Sequence, residues 1–250
     1  MTQSTAAAAA AVIPAASKAE RARGAARGVR QRAVAEVKRS LVLAAARSAF
    51  IELGLEGASL REIAKRAGYT PGAIYSYFAS KEEVYGALLG ESLERLNACV
   101  ATAVAAPAKP SAHSSSRSRT APAVVRALRA KAMAFFDFYR ENPRDLDLGF
   151  YLFHGMQPRG LTPALNERLN ARLRDALAPT EQGLVEIGLR TAEARLEVTA
   201  LFAHIVGLLL MSHTGRIRMF GQASTALFER YLDALVVRAL AAAKPTRVRP

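Results

Sequence analysis

The chain has 250 residues, 51% of them apolar, which is ample for one or two packed domains. Its 35 lysines and arginines against 21 acidic residues give a net charge of +14, pointing to a polyanionic partner such as nucleic acid. A single cysteine, Cys99, excludes an internal disulfide framework and suits a reducing cytoplasm.

The charge is unevenly placed. Residues 1–40 carry eight basic and two acidic side chains, residues 41–85 carry five of each, and the remainder carries 22 basic against 14 acidic. Residues 1–32 are therefore expected to be a disordered, basic, Ala/Arg-rich arm. Such an arm either lies along a DNA backbone or minor groove or serves as a solubilising tail. A secretory signal is not expected, because the basic residues follow the apolar run at 6–13 rather than precede it. An organelle transit peptide is the alternative for this leader. No segment is expected to span a membrane: the most apolar run, 198–211, has 14 residues with His204 inside it, against about 20 needed.

A first helix is predicted over 34–53, with Leu43, Ala46, Phe50 and Leu53 at helical spacing and Gly54 ending it. The next stretch carries the most information. Ser59 and Glu62 stand in capping-box register ahead of Leu60, Ile63, Ala64 and Ala67, and Gly68 is suited to a left-handed helix end. Thr70 is a good N-cap with Pro71 at the first helical position, and Ser80 with Glu83 repeats the capping box. Start, stop, short turn and start again make a helix-turn-helix. In that motif the second helix enters the major groove by its N-terminal end, here Thr70, Pro71, Gly72 and Ala73. Ile74 and Phe78 should face the core, while Tyr75 and Tyr77, two apart, diverge.

These residues, with the run Gly72 to Phe78 and Ser80-Lys81-Glu82, resemble the DNA-binding motif of the TetR family of bacterial transcriptional repressors over about residues 41–89. The resemblance implies that Tyr75 and Tyr77 point toward the DNA backbone, that Arg61 reaches a base and that Lys81 meets a phosphate. With Ser59, Thr70, Pro71, Gly72 and Ala73 they form the expected DNA-binding set. The alternative is that the tyrosines pack and the charges are solvated.

A connecting helix is predicted over 80–104, then a flexible loop over 106–122 rich in Pro, Ser and Arg. Further helices are expected over 123–141 and 144–154, and from Thr162-Pro163 onward with a break or kink at Pro179. Two more follow over 192–218 and 224–243, with a basic tail at 244–250. No segment alternates with period two, so the expected class is all-α. A helix-turn-helix domain at 33–85 precedes a helical effector-binding and dimerisation domain at 86–243.

Aromatic residues crowd between 135 and 153, and Phe135, Phe138, Tyr139, Tyr151, His154 and His204 are the expected effector contacts. Aromatics at this spacing are also ordinary core. The last two helices are apolar over most of their circumference and need cover on nearly every side. Leu201, Ile205, Leu208, Phe228, Leu232 and Leu235 are the expected homodimer contacts, since TetR-like proteins dimerise through a four-helix bundle. The alternative is a monomeric core.

No catalytic constellation, cofactor motif or metal-ligand spacing is found, and the scattered His113, His154, His204 and His213 make none. The expected function is a cytoplasmic, homodimeric regulator of double-stranded DNA, most simply a repressor released by a small hydrophobic or amphipathic effector. The competing reading is a basic architectural protein that coats DNA without sequence preference.

Overall fold

Helical periodicity and local caps set the architecture. The computed structural model describes residues 18–104, 120–150 and 161–243. Among these residues there are nine α-helices and no strand. They are α1 (Lys18–Gly57), α2 (Leu60–Ala67), α3 (Pro71–Tyr75), α4 (Lys81–Thr102), α5 (Thr120–Glu141), α6 (Pro143–Phe150), α7 (Pro163–Ile187), α8 (Thr191–His213) and α9 (Ser224–Ala242). A 3-10 turn at Arg218–Phe220 joins the last two.

The first helix corrects one expectation. It begins at Lys18, so residues 18–32 are helical rather than a disordered arm. Residues 1–17 of that arm lie outside the described residues. The arm's Ala and Arg residues are good helix formers, and the long helix they extend offers them a ready nucleus. Arg39 lies over the Phe78 ring at 5.4 Å, apolar burial begins at Val42, and Val29, Val34, Val37 and Leu41 stay exposed. Gly54 interrupts the helix with φ 70, as its place in the sequence predicted.

The head, α1 to α3, closes around Ala46, Ala49, Phe50, Ile63, Ala64, Ile74 and Phe78. Helix α4 then leaves the head and enters the C-terminal part with buried residues from Val84 through Val100. The expected boundary between 85 and 86 thus falls inside a continuous helix, and the two parts share it as a common beam. Gly86 and Gly90 let α7 approach that beam closely: a Cβ on Gly86 would sit 2.6 Å from Leu165 Cδ2.

Of the break or kink expected at Pro179, the break does not occur: helix α7 continues through it. The missing hydrogen bond there is offset by packing, since the neighbouring Ala176, Thr180 and Leu184 are all buried. Thr162 caps α7 as predicted, its hydroxyl accepting from Leu165 N at 3.2 Å. Helix α5 starts at Thr120, so the end of the expected loop is helical; residues 105–119 and the tail at 244–250 lie outside the described residues. Helix α8 ends at His213 rather than 218, where Gly215 turns the chain with φ 75 and Ile217 plugs the core. By length and composition α8 is long and apolar enough to cross a membrane, which the run 198–211 alone did not suggest.

Candidate nucleic-acid interface and effector cavity

The turn between α2 and α3 is built from side-chain caps. Ser59 Oγ accepts from Glu62 N at 3.1 Å. The reciprocal half of that capping box does not form. Glu62 instead accepts from Arg66 Nε at 2.8 Å, which holds its carboxyl below the ordinary value, and Arg66 also pairs with Glu52 at 2.9 Å. An arginine one turn away outcompetes a neutral backbone N–H for a carboxylate. At α4 both halves are present in modified form: Ser80 Oγ accepts from Glu83 N at 3.2 Å, and Glu83 reaches back to Ala79 N at 2.8 Å. Gly68 ends α2 with φ 72, and the next amide, Tyr69 N, bonds back to Ala64 O at 2.9 Å.

Helix α3 is one short turn, ended by Tyr77 N and Phe78 N both bonding to Ile74 O. Ile74 and Phe78 are buried, as their spacing required. Tyr75 is 59% exposed, whereas Tyr77 is half-buried and packed on the core, so the two tyrosines do diverge. Ser59, Arg61, Thr70, Pro71 and Gly72 are exposed, and Ala73 and Lys81 are half-buried. Thr70 makes no side-chain cap, leaving the first turn of α3 open at its N-terminus. Of the nine expected DNA-binding residues, Thr70 to Tyr75 lie on or next to the α3 turn, Ser59 and Arg61 at the start of α2 and Lys81 at the start of α4, with Tyr77 committed to packing.

A cavity of about 230 Å³ lies between α4, α5, α6 and α7. Leu89 and Leu93 line it from α4, Tyr139 from α5, Gly149 and Phe150 from α6, and Asn166, Leu169, Asn170 and Leu173 from α7, with Leu161 before it. Burial, and secondarily the charge of Asp145, push the Tyr139 hydroxyl well above its ordinary pKa, so it is neutral. Among the described lining residues none is charged.

Of the four expected effector contacts among the described residues, only Tyr139 lines this cavity. Phe135 and Phe138 are core, packed edge-on against Tyr139 at 5.5 and 5.2 Å between ring centroids. His204 is elsewhere, stacked on Tyr231 of α9 at 4.1 Å, its Nε2 buried without a partner. Burial lowers its pKa below the ordinary value. Tyr151 and His154 lie outside the described residues. The α7 residues were missed, although Asn166 and Asn170, four apart beside Leu169 and Leu173, were a readable polar and apolar pairing on one face.

The expected dimer contacts need a larger correction. Leu201, Ile205, Leu208, Phe228, Leu232 and Leu235 are all buried inside the protomer, and Phe228 stacks on Phe136 at 4.5 Å. The apolar residues that α8 and α9 expose are Leu196, Leu210, Met211, Val237 and Leu240. On α8 these flank exposed Ala200 and Ala203 and a half-buried Gly207 whose added Cβ would meet nothing within 4 Å.

The sequence and the geometry of the head agree with the model of bacterial regulatory proteins of the tetR family, which matches residues 42–88. Residues 42–88 are thus similar to the DNA-binding segment of the TetR family. The HTH-type transcriptional activator FasR of Mycolicibacterium smegmatis is 32% identical over 113 residues, 45% of each chain. The HTH-type transcriptional repressor AcnR of Corynebacterium diphtheriae is 37% identical over 65 residues, 26% of this chain and 34% of that one. The chain thus spans less than half the length of these curated relatives. Among solved structures, the fatty acid degradation regulator FadR from Bacillus halodurans has a TM-score of 0.57 at 19% identity, covering 80% of this chain and 94% of that one. A regulatory protein in the tetR family from Rhodococcus RHA1 has a TM-score of 0.57 at 18% identity, covering 81% and 96%. These likenesses show the fold: a helix-turn-helix head on a helical C-terminal part.

Proposed function

We propose that the protein is a cytoplasmic homodimeric repressor that occupies a pseudo-palindromic operator and leaves it when a small effector fills the cavity between α4 and α7. The observation that carries this reading is the shared beam. Helix α4 is capped by Ser80 beside the DNA-reading turn and contributes Leu89 and Leu93 to the cavity wall. Contents of the cavity therefore bear on the helix that carries the head. The effector acts only by its difference in affinity for the two head arrangements.

The lining argues for an uncharged amphipathic ligand. Apolar walls hold its body, and Tyr139 with Asn166 and Asn170 offers hydrogen bonds to a neutral polar end. At about 230 Å³ the cavity falls below the roughly 300–1,000 Å³ of drug-sized sites, so the ligand is correspondingly small. Head residues 33–85, the α8–α9 surface and the DNA contacts at Arg61, Thr70, Tyr75 and Lys81 complete the reading.

The architectural reading retains one supporting observation, the exposed arginines 27, 30 and 32 on the early turns of α1. Selection of bound sequences from a random DNA library separates the two. A repressor enriches an inverted repeat with half-sites about one helical turn apart. Tight binding without enrichment means the head does not read sequence. With the repeat in hand, deletion of residues 1–32 should flatten the salt dependence of binding and leave the preferred sequence unchanged.

A further inference from the structure

The effector reading leaves open how a cavity walled by four helices bears on the head, and one buried carboxylate answers it. Asp145 lies in the first turn of α6 and is 4% exposed. Its Oδ1 accepts from Arg95 Nη2 of α4 at 2.6 Å and from Arg47 Nη1 of α1 at 3.3 Å. One turn further along α6, the Leu148 carbonyl accepts from the Tyr85 hydroxyl of α4. The Tyr85 ring in turn packs edge-on against Phe50 of α1, 6.1 Å between centroids. Asp145 and Leu148, three residues apart, therefore grip the junction of α1 and α4 from one face of α6.

The next two residues of the same helix, Gly149 and Phe150, line the cavity. Helix α6 has eight residues, about 12 Å, too short and too regular to absorb a displacement within itself. Whatever pushes Gly149 and Phe150 outward must also move Asp145. Apolar packing tolerates a small slide, whereas a buried carboxylate must keep at least one cation, so of its two ion pairs only the longer one, to Arg47 at 3.3 Å, is free to break. The contact is consequently made or broken rather than graded, which is what a two-state coupling element requires.

We propose that Asp145 is the positioning residue through which the contents of the cavity set the attitude of the head, with Arg47 as its partner on the head side. The proposal rests on the effector reading above. Arg95 keeps the carboxylate neutralised in both arrangements, and Arg47 is the bond that is made or released.

The test is a double-mutant cycle in the full chain, read as affinity for the DNA duplex recovered by library selection. Leu173→Trp fills the cavity from α7 and stands in for a bound ligand. It should weaken DNA binding at least tenfold in the wild-type background. In Arg47→Gln, and independently in Asp145→Asn should the first variant fold poorly, the same filling should change affinity less than twofold. Arg47→Lys should restore most of the effect, which a general loss of packing would not allow. Equal weakening by Leu173→Trp in every background overturns the role of Asp145 and leaves the cavity reading intact. No effect of Leu173→Trp in any background, with the variants folded, overturns the cavity reading and this proposal with it.

Discussion

In the head, hydrogen bonds decide the shape. Ser59, Gly68 and Ser80 fix where each helix starts or stops, the enclosed core is small, and the α3 turn is exposed. In α8 and α9, apolar burial decides it. Leu201, Ile205, Leu209, Phe228, Leu232 and Leu235 fill the inside, yet Leu196, Leu210, Met211, Val237 and Leu240 remain in water on the outside. A polar surface costs little while it waits for DNA, whereas an apolar stripe of this kind calls for cover. On the homodimer reading proposed above, the contrast implies an order of assembly: the α8–α9 face would pair first, and the two heads would then meet DNA as a unit.

The sharpest way to break that order is to charge the stripe. Ala203→Arg places a guanidinium on the exposed small-residue face of α8, where no protomer core is disturbed. The expected result is a folded monomer by sedimentation velocity, with operator affinity reduced roughly 100-fold or more, because joining two half-site readers is worth about 10² to 10⁴ in avidity. A dimer that persists would move the interface to another face.

On the head side the expected effect is smaller. Tyr75→Phe combined with Lys81→Ala should weaken binding about tenfold across all sequences and reduce the salt slope by roughly one, without changing the dimer. Arg61→Ala should act differently, relaxing preference at one base pair for about 1–3 kcal/mol. Equal losses on operator and random DNA in the Arg61 variant would place that side chain on a phosphate.

How much of this was readable follows the same division. Ser59, Gly68, Ser80 and Thr162 were legible because a cap is decided within four residues. The reach of Glu62 was not, since Arg66 on the next turn claimed its carboxylate. In α8 and α9 the helices were foreseen but their faces were not. On a helix apolar nearly all round, the inward side is chosen by α5 and α7, far away in sequence, as when Phe136 takes Phe228. Tyr139 was found and Leu173 was not, because an aromatic cluster stands out and a leucine contributing one wall of a four-helix cavity does not.

His204 lies where the buried and exposed sides of α8 meet, and its titration tests that placement. It stacks on Tyr231, with Arg238 over the same ring and Glu197 paired to Arg238 at 2.9 Å. Its pKa is lowered in the fold from an ordinary 6.5, so the unfolded chain takes up the proton first as pH falls. Stability should therefore decline as pH drops below about 6.5 toward the folded value, and His204→Phe should flatten that decline. A melting temperature that responds identically to pH in both proteins would put His204 in a solvated position.

The smallest expected effect separates structure from function most cleanly, because one sequence signal occurs in both regions. Thr70-Pro71 and Thr162-Pro163 are the same cap-and-proline pair, yet Thr162 bonds Leu165 N at 3.2 Å while Thr70 makes no side-chain cap. Thr162→Ala should cost about 1 kcal/mol of stability, the usual loss for an N-cap, and leave DNA affinity alone once the protein is folded. Thr70→Ala should do the reverse, with little change in denaturant midpoint and a measurable loss of operator binding. If both variants lose stability equally, the N-terminus of α3 is closed by its own threonine in solution and that hydroxyl is withdrawn from the DNA-facing set.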